Sequence, residues 1–355
     1  MLSKLNKELN SQLDKPAAPH PFRWWHIPLL LVLIAGTVYV IINHDKGQQT
    51  SDAMTYQRCE GTVFGTFYHI TYQCPSDLQD SIEMVLQDVD NSLSPFNPHS
   101  VITAINQNVC MTTDARFRHV FLLAKEISAA THGAFDITVA PLVNAWGFGF
   151  KNKENITDSL IDSLLTHVGM EKVSLVDEMI VKSDTSVMLD CSAIAKGYGV
   201  DAVGEYLESK GVGNYMVEIG GEVRVRGLNP KGQQWNIAII KPDPDPTGVN
   251  TDIEEVINIT NISMATSGNY RNYYEEGSQR YAHTIDPRTG RPVQHSILSS
   301  TVLADDCATA DAYATAFMVL GLEEAKQVLD AHPELKAYFI YADEDGNNAV
   351  WRHGI

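Results

Sequence analysis

The sequence predicts an α+β fold, and three observations support that prediction. The composition, 44% hydrophobic and 20% charged over 355 residues, is that of a globular protein. Segments rich in β-branched and aromatic residues mix with segments of helical spacing, without the regular strand–helix alternation of a doubly wound sheet. The sequence contains no repeat of about 20 to 50 residues, the length typical of repeat architectures.

The first half of the predicted fold begins with a strand. β-Branched and aromatic residues predict this strand over 61–73, with a bend at Gly65. Apolar residues at helical spacing then predict helices over 78–93, 114–131 and 157–167. The last of these opens with Thr157 and Asp158, a pair typical of a helix N-terminus. Residues 92–106, rich in Ser, Pro and Asn, have the composition of a turn.

The second half is richer in strands. Alternating apolar and β-branched residues predict strands over 172–182, 214–219, 222–227, 235–240, 254–260, 298–303, 336–341 and 348–352. Helical spacing predicts helices over 196–210, 308–320 and 322–331. The stretch 262–285 has the pattern of a hairpin.

An apolar segment near the N-terminus predicts a membrane anchor. Residues 27–42 are almost entirely apolar, and with Trp24 and Trp25 the stretch reaches the ~20 residues that span a bilayer. A cleaved signal peptide fits less well, because the region before the apolar run is long and no small-x-small site follows it. A buried core helix is disfavoured by the length of the apolar run.

The chain therefore divides into a cytoplasmic tail (1–23), a single-pass transmembrane signal anchor (24–43), a linker (44–58) and a folded domain (59–355). Lys and Arg residues precede the anchor, so we expect it in the inner (cytoplasmic) membrane, with the folded domain facing the periplasm or the outside. The net charge of -18, with no Lys/Arg run, excludes a nucleic-acid-binding surface.

The cysteines indicate no metal or redox site. All five are scattered and no CxxC pair occurs, so the sequence suggests neither a zinc site nor a thioredoxin-like activity. Cys59 and Cys74 flank the first predicted strand, and a disulfide between them is allowed outside the cytoplasm, so their pairing stays open. Cys191 and Cys307 are expected to be small buried apolar residues.

The most informative chemistry lies on the helix predicted over 308–320. Asp311 and Thr315 are four residues apart and so share one helix face. A carboxylate and a hydroxyl with no Cys or second His beside them form an oxygen-donor pair suited to Mg2+ or Ca2+. His283, upstream, is a candidate base. Taken singly, Asp311 and Thr315 fit a helix-capping turn equally well, and a lone His is more often structural.

A second candidate site lies at the start of a predicted helix. Residues 192–196 would present free backbone N–H groups and the Lys196 ammonium to an anion, as phosphate-binding sites do. Each motif alone has a plain structural explanation. Residues 192–196 could be a turn with a solvated Lys, Asp136 could cap a turn, and Trp146 and Phe148 could belong to the core.

Together the motifs resemble one family. The runs GAFDITVAPLVNAWGFG, LDCSAIAKGYGVD, EIGGEV, SGNYRNYY, HTIDPRTGRPV and ADAYATAFMVLG follow one another in the chain. In type and order they resemble the ApbE family, the FAD:protein FMN transferases, over about 61–341. The resemblance implies an ApbE/T-fold-like α+β arrangement of mixed sheets packed with helices, preceded here by the predicted transmembrane helix.

The resemblance also implies an enzymatic activity. The family splits the pyrophosphate of FAD and transfers FMN to a Thr or Ser hydroxyl of a target protein, releasing AMP, with Mg2+. The implied metal ligands are Asp311, Thr315 and the backbone carbonyls of Ala193 and Ala314. The implied flavin contacts are Phe64, Phe96, Ala134, Phe135, Asp136, Asp190, Lys196 and Ile285. His283 matches the position of the catalytic base, and Asp311 is the second catalytic residue implied.

The expected partners are FAD, exported or membrane flavoproteins as acceptors, and the membrane itself. Phe64 and Phe96 stand where many relatives carry Met and Tyr, so a hydrogen bond from a hydroxyl is lost at Phe96. Two rival functions use the same residues. A metal-dependent FAD pyrophosphatase would take water as the acceptor, whereas a non-catalytic flavin-binding protein would need no base such as His283.

Overall fold

The structure is a computed structural model, and it describes residues 55–150, 154–242, 252–268, 273–276, 279–282, 284–293 and 296–355. The predicted cytoplasmic tail, the predicted signal anchor and the linker up to residue 54 lie outside the described residues. Within the described ranges, no helix has both the length and the hydropathy required to cross a bilayer.

The elements mix helices and strands, as predicted for an α+β protein. The strands are β1 (Tyr56–Val63), β2 (Thr66–Gln73), β3 (Val173–Val176), β4 (Met179–Lys182), β5 (Tyr215–Ile219), β6 (Glu222–Arg226), β7 (Trp235–Ile240), β8 (Ile253–Ile259), β9 (Ile262–Gly268), β10 (Tyr273–Glu276), β11 (Gln279–Ala282), β12 (Ile285–Asp286), β13 (Arg291–Pro292), β14 (Ile297–Ala304), β15 (Lys336–Ala342) and β16 (Asn348–His353). The α-helices are α1 (Gln79–Leu93), α2 (Val101–Asn106), α3 (Ala115–Ala130), α4 (Ala140–Trp146), α5 (Asp158–Leu165), α6 (Ala195–Ser209) and α7 (Cys307–Ala331). Short 3-10 helices occupy Ile137–Val139 and Met170–Lys172.

One large antiparallel sheet organises these elements. Its strands lie in the order β1-β2-β5-β6-β9-β14-β15-β16. Side chains alternate between the two faces of a strand, so on β14 Val302 packs toward the helices and Leu303 toward the opposite side. Helices α1, α3, α6 and α7 cover the first face, and the β7–β8 hairpin covers the second. The sheet is therefore buried on both faces along its centre.

Helix ends follow the capping residues in the sequence. Side-chain oxygens accept the first free N–H groups of three helices: Asp114 at α3, Thr157 at α5 and Asp306 at α7. Gly321, with φ of 74°, interrupts α7. This break confirms the two helices predicted over 308–320 and 322–331.

Two segments predicted as single strands are hairpins, and those predictions were wrong. The 61–73 segment reverses direction at Phe64 and Gly65, whose φ angles of 52° and 73° fit a two-residue hairpin turn. The 172–182 segment reverses at residues 177–178 in the same way. The bend predicted at Gly65 is present, but strand propensity did not reveal that the chain reverses there, because a bulky aromatic residue such as Phe64 rarely adopts a positive φ.

Two predicted loops contain regular structure. β1 begins at Tyr56, so the linker predicted over 44–58 extends too far. α2 lies inside the 92–106 stretch that was predicted as a turn, and it begins where the Ser100 hydroxyl accepts the N–H of Thr103 at 3.1 Å. A helix of six residues shows too little periodicity to be recognised from sequence.

Cys59 and Cys74 lie too far apart for a disulfide. Cys59 is opposite Ile70 in the β1–β2 hairpin, whereas the N–H of Cys74 bonds to the carbonyl of Thr55. The two cysteines are therefore separated by four residues along the hairpin, roughly 13 Å. All five cysteines have free thiols, and Cys191 and Cys307 are buried as predicted.

Candidate active site

A cavity of about 640 Å³ lies where the loop before α6 meets α7 and the end of β9. Its volume is typical of a small-molecule site. The wall contains most of the residues predicted from the sequence: Ala134, Phe135, Asp136, Asp190, Ala193, Lys196, Ile285, Asp311 and Thr315. The fold therefore brings motifs from distant parts of the chain to one place.

A second cavity, of about 760 Å³, adjoins the first. Its wall includes Phe64 from the β1–β2 turn and Phe96 from the loop after α1. Phe148, Ser192 and Lys196 line both cavities and so mark their junction. The flavin contacts implied by the resemblance are thus divided between two adjoining cavities.

Helices α6 and α7 approach closely at Gly197. The Gly197 N–H donates to Asp311 Oδ2 at 3.0 Å, whereas in a regular α-helix it would bond to the Ala193 carbonyl. A Cβ at Gly197 would lie 2.3 Å from the carbonyl oxygen of Cys307, so a larger residue would force the helices apart. Because Gly197 has no side chain, the two helices can approach closely enough for Asp311 to bond to the N-terminus of α6.

Lys196 lies between two buried carboxylates. Its Nζ is 2.5 Å from Glu222 Oε1 and 3.7 Å from Asp311 Oδ1. Both acidic side chains are 4% exposed and that of Lys196 is 31% exposed, so Lys196 is the most accessible of the three. Burial lowers the pKa of Lys196, but the Asp311 and Glu222 carboxylates outweigh burial and raise the pKa above its ordinary value. The ammonium therefore stays charged and can face phosphate oxygens.

Asp311 and Thr315 provide oxygen donors for a metal. Both line the first cavity, and the Thr315 hydroxyl is 2.9 Å from that of Ser267 on β9. Ala193 lines the same cavity, and its backbone carbonyl would add a third oxygen of the kind that Mg2+ takes. No cluster of three His, Cys, Asp or Glu side chains occurs in the described ranges, so this set depends on one carboxylate and neutral oxygens. Ala314, the other implied ligand, is fully buried and lines neither of the two cavities.

Asp136 and Asp190 hold the loops of the cavity wall. Asp136 accepts hydrogen bonds from the Thr138 N–H, the Thr138 hydroxyl and the Met170 N–H at 2.7, 2.6 and 3.1 Å. Asp190 accepts from the N–H and hydroxyl of Ser192 at 2.8 and 2.5 Å. Burial raises the pKa of both carboxyl groups, and these hydrogen bonds oppose that effect. The capping role suggested for Asp136 is therefore present, beside its position in the cavity wall.

His283 lies outside the described residues. Thr284 and Ile285, which follow it directly in sequence, line the first cavity. The segment after them is tied to the core by Trp146, whose Nε1 donates to the Gly290 carbonyl at 2.9 Å. Trp146 is thus a core residue, as its apolar bulk indicated.

Several residues of this region were not predicted from the sequence. Ser267 lines the first cavity, Phe148 lines both cavities, and the Glu222 carboxylate contacts the Lys196 ammonium. Each of them lies in one of the quoted motifs. The available signal was an acidic residue directly after a Gly-Gly turn, at Glu222, but only the sheet places it beside α6.

Comparisons with known proteins agree with the resemblance. The ApbE family model matches residues 64–339. The FAD:protein FMN transferases of Vibrio cholerae and Haemophilus influenzae are each 39% identical, over 81% of this chain and 87% and 86% of their own lengths. The solved structure of the flavin transferase ApbE from Vibrio cholerae has a TM-score of 0.76 at 36% identity and covers 84% of this chain and 97% of that one. The α+β fold with its large antiparallel sheet is therefore shared with solved relatives.

Proposed function

The chain belongs to the ApbE family, and we propose that it uses the junction of its two cavities to transfer FMN from FAD to a hydroxyl group of a target protein. It is an FAD:protein FMN transferase, like its curated relatives, with FAD as the substrate and a protein as the acceptor. Beyond that activity, we propose a Thr or Ser hydroxyl as the acceptor group, Mg2+ as the cofactor and exported or membrane flavoproteins as the targets.

The junction of the cavities at Lys196 is the observation that supports this proposal most strongly. FAD consists of two bulky halves joined by an anionic pyrophosphate, so its site needs two spaces with positive charge between them. The cavities of about 640 and 760 Å³ share Lys196 and Ser192 in their walls. The Lys196 ammonium at this junction would face the pyrophosphate while each half occupies one cavity.

The proposed reaction exchanges one P–O bond for another. The acceptor hydroxyl oxygen attacks the phosphorus of the FMN half, the bond to the AMP half breaks, and AMP leaves with the bridging oxygen. The hydroxyl proton passes to a base, for which His283 is our candidate, because an imidazole with a pKa of ~6.5 accepts protons near neutral pH. Lys196 offsets the charge that develops on the phosphate oxygens.

Asp311, Thr315 and the Ala193 carbonyl would hold the Mg2+, which supplies positive charge to the phosphate oxygens when it is bound. The protein prepares these donors through its own hydrogen bonds. The Gly197 N–H holds Asp311 Oδ2, and the Ser267 hydroxyl holds that of Thr315. Donors that are already oriented lose little freedom when a ligand binds.

We also propose that residues 24–43 anchor the chain in the inner membrane with the catalytic domain outside. The apolar run and the Lys and Arg residues before it support this orientation. Fractionation of cells that express the full chain should recover it with the membranes, and added protease should reach the domain from the periplasmic side. Recovery in the cytosolic fraction would contradict the proposal.

The base assignment is tested by His283→Ala. We expect FAD affinity, measured by flavin fluorescence, to stay within about threefold of wild type, because the imidazole acts on the hydroxyl proton. Transfer should fall by roughly 10²- to 10⁴-fold, the usual contribution of a general base. Transfer at the wild-type rate would show that His283 is not the base.

The function itself is tested by product analysis. The soluble part of the chain is incubated with FAD, Mg2+ and an acceptor flavoprotein domain, and the flavin and adenine products are separated. Transfer predicts protein-bound FMN with an equal amount of AMP. Free FMN with AMP would indicate a pyrophosphatase, and intact FAD would indicate a flavin-binding protein.

A further inference from the structure

Glu222 is a buried carboxylate beside the site to which the proposed chemistry assigns no role. It is the first residue of β6, and 4% of its side chain is exposed. Oε1 accepts a hydrogen bond from Lys196 Nζ at 2.5 Å, whereas Oε2 has no hydrogen-bond partner in the described part of the chain. Burying a carboxylate with one unbonded oxygen costs free energy, so a buried Glu222 calls for a compensating role.

Lys196 is the only side chain in the described ranges that hydrogen-bonds to Glu222. An ammonium has three N–H donors, and the bond to Glu222 fixes the direction of the others. The distance of 3.7 Å from Nζ to Asp311 Oδ1 is too long for a hydrogen bond. Glu222 thus holds Lys196 short of direct contact with Asp311.

Lys196 would otherwise be drawn toward Asp311. Opposite charges at this distance attract strongly where water is partly excluded, and Asp311 is 4% exposed. An ammonium bonded directly to Asp311 would occupy a carboxylate oxygen that a metal needs. It would also leave the junction of the two cavities.

We propose that Glu222 is a positioning residue for FMN transfer, because it holds the Lys196 ammonium at the cavity junction and away from Asp311. Asp311 thereby stays available to Mg2+, and Lys196 stays available to the phosphates of FAD. This inference rests on the proposed function. Glu222 does not contact the substrate in this account and acts only through Lys196.

The test combines Glu222→Gln with Lys196→Met. Glu222→Gln keeps the shape and removes the charge, so Lys196 is expected to move onto Asp311. We expect kcat for transfer to fall by roughly 10- to 100-fold, as when a reacting group is misplaced, while KM for FAD changes less than threefold. The dissociation constant for Mg2+, measured by calorimetry without FAD, should rise about tenfold.

The decisive comparison uses the Lys196→Met background. If Glu222 acts through Lys196, Glu222→Gln should change neither Mg2+ affinity nor residual kcat by more than about twofold there. An equal loss of Mg2+ affinity in both backgrounds would overturn the proposal, because it would show that Glu222 acts directly on the site. The Mg2+ affinity can be compared even if Lys196→Met has no measurable turnover.

Two further variants control for folding. Glu60→Gln changes an exposed carboxylate on β1 and should leave kcat and Mg2+ affinity unchanged. If Glu222→Gln does not fold, as judged by urea unfolding, Glu222→Asp replaces it in both backgrounds, because the side chain is one methylene shorter and withdraws the carboxylate from Lys196. Wild-type labelling of an acceptor is measured first, so a failure of the proposed function is distinguishable from a failure of this inference.

Discussion

The Asp201 carboxylate on α6 accepts a hydrogen bond from the backbone N–H of Ala308, in the first turn of α7, at 2.8 Å. Its other oxygen accepts the N–H of Cys307 and a guanidinium N–H of Arg224, both at 2.9 Å. A side chain of α6 thus accepts the first free N–H groups of α7. Together with the Gly197 contact, this fixes the helix of Lys196 against the helix of Asp311.

The Asp201 contact predicts a pH dependence of stability. Burial raises the pKa of Asp201 to about 6, although the hydrogen bonds from Cys307 and Ala308 lower it. The folded pKa lies above the unfolded value of ~3.9, so the associated stability is present below about pH 4 and is lost as pH rises through about 6. Asp201→Asn has no carboxyl group to titrate at this position, so its stability lacks this dependence on pH.

Urea unfolding of both proteins between pH 4 and 7 measures the effect. The wild-type free energy of unfolding should fall relative to that of Asp201→Asn as pH rises, by at most about 1.4 kcal/mol per pH unit and roughly 3 kcal/mol in total. Parallel pH profiles for the two proteins would contradict the assignment.

Gly197→Ala should separate the two helices. The new Cβ would meet the Cys307 carbonyl oxygen at 2.3 Å, and backbone cannot move aside as a side chain can. We expect a loss of about 1–3 kcal/mol in the free energy of unfolding, and transfer reduced at least 100-fold because Asp311 shifts. Gly213→Ala, whose Cβ would have no atom within 4 Å, is the matched control and should behave as wild type. Full transfer by Gly197→Ala would disprove the role of this contact.

Gly199→Ala probes the second cavity. The added Cβ would lie 2.6 Å from the ring of Phe64, a side chain that can swing away, so stability should fall by less than about 1 kcal/mol. The displaced ring changes the wall of the cavity that Phe64 lines. If this cavity binds one half of FAD, KM for FAD should rise by about fivefold or more while kcat changes little. An unchanged KM would show that the second cavity does not bind FAD.

Asp311→Ala should abolish metal dependence. Asp311 is the only carboxylate in the proposed donor set, so calorimetry should show at least a tenfold weaker Mg2+ affinity, and transfer should be lost. Asp330→Ala removes an exposed carboxylate from the same helix and should leave both properties intact. Wild-type Mg2+ affinity in Asp311→Ala would place the metal elsewhere.

Site features that depend on residues close together in the sequence could be predicted from the sequence. Asp311 and Thr315 share a helix face because the helical repeat places residues four apart together, and the structure finds both in one cavity wall. The anion site at residues 192–196 was recognisable for a similar reason, since a helix start exposes free N–H groups. The wider set of site residues came from the family resemblance.

Features that depend on contacts between elements distant in the sequence could not be predicted. Glu222 contacts Lys196 because β6 lies beside α6, and no pattern near either residue indicates that contact. A bend at Gly65 could be predicted, but the full reversal of the chain there could not, because Phe64 is held at a positive φ by its surroundings rather than by its own preference. Gly197 is a plain helical Gly in sequence, and only the approach of α7 shows why a side chain is excluded there.

FMN transfer to a hydroxyl is tested most directly by the intact mass of an acceptor protein with one reactive Thr, after incubation with the enzyme, FAD and Mg2+. The matched acceptor has Val in place of that Thr. Transfer predicts a gain equal to one FMN phosphoester on the Thr acceptor, an equal amount of AMP, and no gain on the Val acceptor. AMP release with neither acceptor modified would contradict it and would favour hydrolysis of FAD.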